Sequence, residues 1–316
     1  MKLREIYEFA IRKGFEVDPR GREALEEKLV GLRKDYEAMS EADREVFDEE
    51  RLTNPFGDTR IVCGDPDREV KRAMVGIDIH GQEILAARML SDQGTTIDAI
   101  IAHHATELGR PLASVFDAME PQIPMMAEVG VPRHVAEKLV KEEAADRDRG
   151  ENYRHVALAD LLGIGIVGIH STPDNYCLRH LKGMVADDKP QTVQDLVDLL
   201  RTLPESKDSS RKGVPAKAVV GGGKDLLGDR VYYCVTGGWN PSARAFQKLA
   251  DAGVGTVVMI VATEDHKKIA RESQMNVVRF PHYASDSLGV NLMLDDMLAE
   301  SQMEIVPCSN FVRVSR

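Results

Sequence analysis

Basic charge is in deficit. Lysine and arginine number 41 against 52 aspartates and glutamates, a net charge of −11. A chain of that sign is a poor general ligand for phosphate backbones, so nucleic-acid binding is set aside. Aromatic residues are few, 5% with one tryptophan, and no basic stripe interleaved with aromatics occurs. Long apolar runs are missing too. The longest, 161–169, falls far short of the roughly 20 residues a membrane helix needs, and no membrane partner is expected. The opening MKLREIYEFAIRKGFE is charged and has no secretory apolar stretch. Cysteine is sparse, and Cys63, Cys177, Cys234 and Cys308 stand far apart with no CxxC pair. Scattered thiols in a chain of this size predict reduced cysteines in a cytoplasmic protein.

What is present suits a folded enzyme-sized protein. The 316 residues, 43% apolar and 29% charged, can bury a core without a disulfide or a structural metal. Residues 1–52 read as a helical N-terminal extension. Its first part, 3–13, is short and amphipathic, and 20–52 is charge-dense with opposite charges at three- and four-residue spacing. Ser40 with Asp43 has the pattern of a capping box that would split the second part. A solvated helical hairpin or an oligomer arm is expected there.

From residue 53 strands and helices alternate. Strands are expected at 73–79, 97–102 and 165–169, with a largely helical insertion at about 110–155. Helices are expected at 82–92, 156–162, 175–185 and 192–203. The polar segment PESKDSSRKGVP, 204–215, reads as a linker. Beyond it strands are expected at 216–220, 231–236, 256–262, 276–280 and 304–314, with helices at 241–252, 266–272 and 287–299. Strand, helix, strand with short connections predicts parallel pairing. The expected fold is α/β: two intertwined halves, 53–205 and 206–316, of helices layered on largely parallel or mixed sheets, with extra N-terminal helices.

Polar clusters stand where expected strands end. His103-His104 follows IDAIIA, His170-Ser-Thr-Pro-Asp174 follows GIVGI, and His282-Tyr-Ala-Ser-Asp286 follows NVVRF. In open parallel sheets, ligands bind outside the carboxyl ends of the strands. Taken singly, each cluster has an ordinary structural reading; Asp174 and Asp286, for instance, are good helix-capping residues. Together they offer imidazole nitrogens and carboxylate oxygens suited to zinc, iron or manganese. Adjacent histidines can serve two different ions when one carboxylate bridges them.

Other segments carry less. GGGK at 221–224 fails as a phosphate loop, because Ala218 stands where a glycine is required and Asp225 follows the lysine. Thr236-Gly237-Gly238 could admit a ligand close to the backbone, or could be a tight strand-to-helix turn.

At these motifs the chain resembles the GTP cyclohydrolase 1 type 2 family, also called interacting-factor-three-like or domain-of-unknown-function 34 proteins. AMVGIDIHGQEILAARMLSDQGTTIDAIIAHH, GIVGIHSTPD, VMIVATEDH and VVRFPHYASDSLGVNLMLDDML carry the resemblance. It implies two divalent metal ions held by His103, His104, Asp174, His282 and Asp286. It also places His170 and His266 in the same cavity as candidate proton carriers. A homohexamer of related α/β halves and hydrolysis of a small nucleotide or pterin-type substrate are further implications. The family usually has glutamate where Asp286 stands, and its His104–His170 interval is usually shorter. A metal-binding scaffold or adaptor without turnover is the alternative.

Overall fold

The computed structural model describes residues 1–104, 115–147 and 153–316. Strands β1 (Arg60–Cys63), β2 (Arg72–Gly76), β3 (Ala99–Ala102), β4 (Gly165–Gly168) and β9 (Glu304–Cys308) form one sheet, in the order β1-β4-β3-β2-β9. Strands β5 (Lys217–Val220), β6 (Val231–Cys234), β7 (Thr256–Met259) and β8 (Asn276–Arg279) form a second, in the order β5-β8-β7-β6. The α/β class expected from the alternation is what the chain adopts.

The two sheets repeat one plan. In each, the first strand lies antiparallel at the edge, next to the last strand of its half, and the other neighbours are parallel. Both antiparallel edges slip register at the same place, between Ile61 and Cys63 and between Ala218 and Val220. β9 leaves the second half and adds beside β2 in parallel, so the halves are intertwined.

Alternation along the strands builds the core. Ala73 and Val75 of β2 face one cluster with Leu3, Ile6 and Met293, while Met74 faces another with Ile84, Ile100 and Ile166. Such alternation is the pleat itself, and a sheet buried on both faces needs apolar residues at every position. A third cluster unites β6–β8 with Ile123, Met126, Leu139 and Leu196.

Four segments depart from the sequence reading. The helix Leu3–Val17 is part of the core, burying Leu3, Ile6, Phe9 and Ala10. Three- and four-residue spacing gives it an apolar stripe, worth about 1.5–3 kcal/mol per large side chain. The supposed linker is helical over Pro204–Arg211, because Pro204 occupies the first turn, where its missing N–H costs nothing. The edge strand β1 has no counterpart in the sequence reading, and β9 ends at Cys308, short of the expected 314. Elsewhere in the N-terminal extension the expectation holds. The helix Arg22–Ala38 buries only Leu25 and Leu29 and presents the solvated face expected. Ser40 caps the short helix Glu41–Glu45 by accepting from the Asp43 N–H.

Of the expected insertion, residues 110–114 and 148–152 lie outside the described residues. The rest forms the helices Val115–Met119, Gln122–Glu128 and Arg133–Arg147, followed by Arg154–Leu162. Ion pairs tie it to the N-terminal segment: Lys28 to Asp117 and Glu120, and Arg20 to Glu120. All four cysteines are free thiols. Among the described residues, no helix is long and apolar enough to cross a membrane.

The helices Ser171–Asp188 and His282–Ala299 occupy equivalent places after β4 and β8, and they pack against each other. Gly289 permits the crossing: a Cβ there would lie 2.1 Å from the Pro173 carbonyl oxygen. This crossing brings the polar first turns of both helices to one place.

Candidate metal centre

Each polar cluster is set by where its strand stops. Beyond β3, the His103 and His104 N–H groups donate to the carbonyls of Gly76 and Ile77, continuing the parallel pairing for two residues. His170 is the N-cap of the helix Ser171–Asp188, and Asp174 stands one turn later. His282 opens the helix His282–Ala299, which starts earlier than the expected 287, and Asp286 follows by one turn. Four-residue spacing puts each histidine over its aspartate, with His170 Nδ1 3.7 Å from Asp174 Oδ2 and His282 Nε2 3.4 Å from Asp286 Oδ2.

The structure brings His103, His104, His170, Asp174, His282 and Asp286 together. Ligand atoms of His103, Asp174 and Asp286 lie within 4.8 Å of one another, as do those of His104, His282 and Asp286. Asp286 is shared. Its Oδ1 lies 3.9 Å from His103 Nε2, and its Oδ2 lies 3.4 Å from both His104 Nε2 and His282 Nε2.

These buried groups could hold a cation, and the His103 side shows why. His103 Nδ1 faces the Ile169 carbonyl at 3.2 Å, which assigns the ring proton to Nδ1. Nε2 is then a bare lone pair, yet it faces Asp174 Oδ1 at 3.3 Å and Asp286 beyond it. Acceptor against acceptor in a buried site is repulsive unless a positive charge lies between. Burial also holds His103 well below the usual histidine range, which keeps that lone pair free. Asp286 Oδ2 is buried without an aligned hydrogen bond, as is His170 Nδ1.

The charges around the cluster are balanced by carboxylates. Burial opposes charge on His104, but Asp286 and Asp78 outweigh it and raise the ring to about 10. Burial lifts Asp174 to about 6. His170 is raised because Asp174 and Asp58 overcome its desolvation.

Two supporting acids escaped the sequence reading. Asp78, just past β2, accepts from His104 Nδ1 at 2.7 Å and is itself fixed by Asn310 Nδ2 at 2.9 Å. Asp58, fully buried, accepts from Ser171 Oγ at 2.7 Å and lies 3.3 Å from His170 Nδ1. Asp58 stands in no motif, and Asp78, although inside the first resembling block, is a lone Asp in VGIDIHG that gave no ligand signal until the fold placed it.

A carboxylate behind a ligating imidazole fixes the ring and raises its basicity. Asp78→Asn is therefore expected to weaken metal binding on the His104 side by roughly 10–100-fold, leaving the His103 side unchanged. A competition titration against a chelator of known affinity reads this as one weakened and one retained metal equivalent.

His266 is not brought to the cluster. Its Nε2 faces the Pro241 carbonyl at 2.9 Å, its Nδ1 lies 3.3 Å from the Thr263 N–H, and its ring tilts against Phe246. The residue works as part of the N-terminal turn of its helix, and burial lowers its pKa. The Thr236-Gly237-Gly238 turn is approached by protein: Gln122 Nε2 donates to the Gly237 and Trp239 carbonyls, and a Cβ on Gly237 would meet Gln122 at 2.6 Å. A cavity of ≈ 220 Å³ opens over the cluster, lined by His104, His170, His282, Gly238, Trp239 and Asn240 among others.

Among solved structures, the NIF3 superfamily protein from Sphaerobacter thermophilus is similar. It is 26% identical, over 82% of this chain and 93% of that one, with a TM-score of 0.66. The chain is thus similar to a NIF3 superfamily protein over most of its length. Two further structures are more distant. Reduced HcgD from Methanocaldococcus jannaschii is 13% identical, covering 89% of this chain and 97% of its own, with a TM-score of 0.48. TTHA1606 from Thermus thermophilus is 15% identical, covering 79% and 86%, with a TM-score of 0.46. No protein-family model matches the chain, and no curated protein does. This similarity is consistent with the resemblance carried by the three strand-end motifs.

Proposed function

We propose that this chain is a dinuclear-metal-dependent hydrolase acting on a small nucleotide or pterin-type substrate. The observation that carries the reading is Asp286, one buried carboxylate facing His103 with one oxygen and His104 and His282 with the other. His103, Asp174 and Asp286 would hold one ion, and His104, His282 and Asp286 the second, with zinc, iron or manganese suited to the donors. Bound there, such a pair supplies Lewis-acid chemistry: it activates water as a nucleophile and stabilises a developing oxyanion.

The chain's own residues do the rest. Ile169 and Asp78 fix the tautomers of His103 and His104, so that both Nε2 atoms point inward. The His170 ring lines the cavity while its Nδ1 faces Asp58 and Asp174, which suits it to hold or pass a proton. Gly238 and Trp239 wall the space in which a substrate would sit.

The reading is tested by assaying protein loaded with each metal on GTP, other nucleoside triphosphates and an activated phosphodiester. Turnover that disappears in His103→Ala supports it. A fully metal-loaded protein that turns over none of them would instead support the scaffold reading.

A further inference from the structure

A larger cavity, ≈ 470 Å³, adjoins the one above the cluster. The two share Ile260, Val261 and His282 in their walls. Apolar side chains make much of the larger one: Val214, Val261, Pro281 and Val312. Its size lies within the range of small-molecule sites, which are largely apolar with a few placed polar groups.

One cation on its wall has no carboxylate partner among the described residues. Glu205 is neutralised by Arg316, whose two terminal nitrogens each lie 2.8 Å from its oxygens. Asp208 is paired with Lys212 at 2.7 Å. Arg279 is different. Its Nη2 donates to the Pro215 carbonyl at 3.0 Å, its Nε is buried without a partner, and among the described residues no carboxylate pairs with it. A guanidinium that lines an apolar wall without a carboxylate partner is a site for an anion, because a charge-assisted hydrogen bond to its terminal nitrogens would balance its charge. Arg279 ends β8, three residues before His282.

We propose that this cavity is a recognition subsite for a small organic anion, a phosphate or carboxylate on an apolar or planar body, with Arg279 as the residue that selects the charge. The reacting end of the same molecule would lie across His282, over the metal cluster. The inference rests on the metal-centre reading for that reacting end alone; the subsite stands on its own lining. It narrows the substrate class to molecules that carry an anionic group at a distance from the bond being broken.

The test uses phenyl phosphate as the probe, with benzoate and neutral phenol beside it, titrated calorimetrically into the protein as purified and again after EDTA treatment. Wild type is expected to bind phenyl phosphate in both states and phenol not measurably. Benzoate binding as tightly as phenyl phosphate assigns the site to carboxylates, and weaker binding assigns it to phosphates. Arg279→Met keeps much of the side chain's length without its charge and is expected to weaken the anion by at least about tenfold. Its metal content should remain that of wild type, which also shows that it folds. Ala262→Trp, which fills the cavity and keeps the guanidinium, should give a comparable loss. Equal affinity in wild type and Arg279→Met, or no binding to wild type, overturns the subsite. A His104→Ala protein that loses metal yet still binds phenyl phosphate would separate the fate of the subsite from that of the metal centre.

Discussion

Asp286→Ala is expected to reduce the metal content from about two ions per chain to less than one. Besides Asp286, one proposed ion has His103 and Asp174, and the other has His104 and His282. Removing the shared carboxylate leaves each side two protein ligands and deletes the negative charge between the ions. Two cations a few Å apart then repel without a bridge, so both affinities fall together. Asp286→Glu should retain both ions, because it keeps the negative charge and two carboxylate oxygens, one methylene further from the backbone. Asp286→Asn separates charge from shape: its volume is nearly that of aspartate, but it offers one neutral oxygen. The series is read by inductively coupled plasma mass spectrometry on protein prepared without chelator. Asp286→Ala protein that keeps both ions would remove Asp286 from the centre.

The second large effect lies away from the ligands. Gly289→Ala is expected to destabilise the protein by roughly 3 kcal/mol, at the upper end of the range for overpacking. The new methyl would lie 2.1 Å from the Pro173 carbonyl oxygen and 2.7 Å from its carbon, and neither is a side chain that could turn away. The two helices must separate, and they are the ones that begin at His170 and His282. Metal binding should therefore weaken as well, although no ligand is altered. Gly183 on the helix Ser171–Asp188 is the control. It is exposed, and a Cβ there meets nothing within 4 Å. Gly183→Ala should stabilise by about 0.5–1 kcal/mol through helix propensity alone. Urea unfolding of the two variants, with metal content measured alongside, distinguishes a packing effect from a general sensitivity to alanine.

The cluster was legible because its residues sit at strand ends. A parallel strand buried on both faces reads as an apolar run, and the polar residues that follow it immediately mark the edge where ligands bind. IDAIIA before His103 and GIVGI before His170 are runs of this kind. Residues whose role depends on tertiary placement gave no such signal. Asp58 and Asp78 are single acids in loops, and they become ring-orienting groups only when β4 and β3 bring His170 and His104 beside them. His266 shows the reverse. TEDH follows a strand as the other clusters do, but Thr263 caps the helix and turns the imidazole back onto backbone. The helix Pro204–Arg211 read as a linker because proline, serine and charge also make good first turns. The common plan of the two sheets was hidden in part, since β1, the counterpart of the expected edge strand β5, is a four-residue strand with different side chains.

The most direct test of the account is the metal content per chain of wild type and His103→Ala, both purified without chelator and then reloaded separately with zinc, iron and manganese. The account predicts about two ions in wild type and a clear loss in His103→Ala, whose Nε2 faces both Asp174 and Asp286 in the native chain. Wild-type protein that takes up no ion from any of the three metals would contradict it.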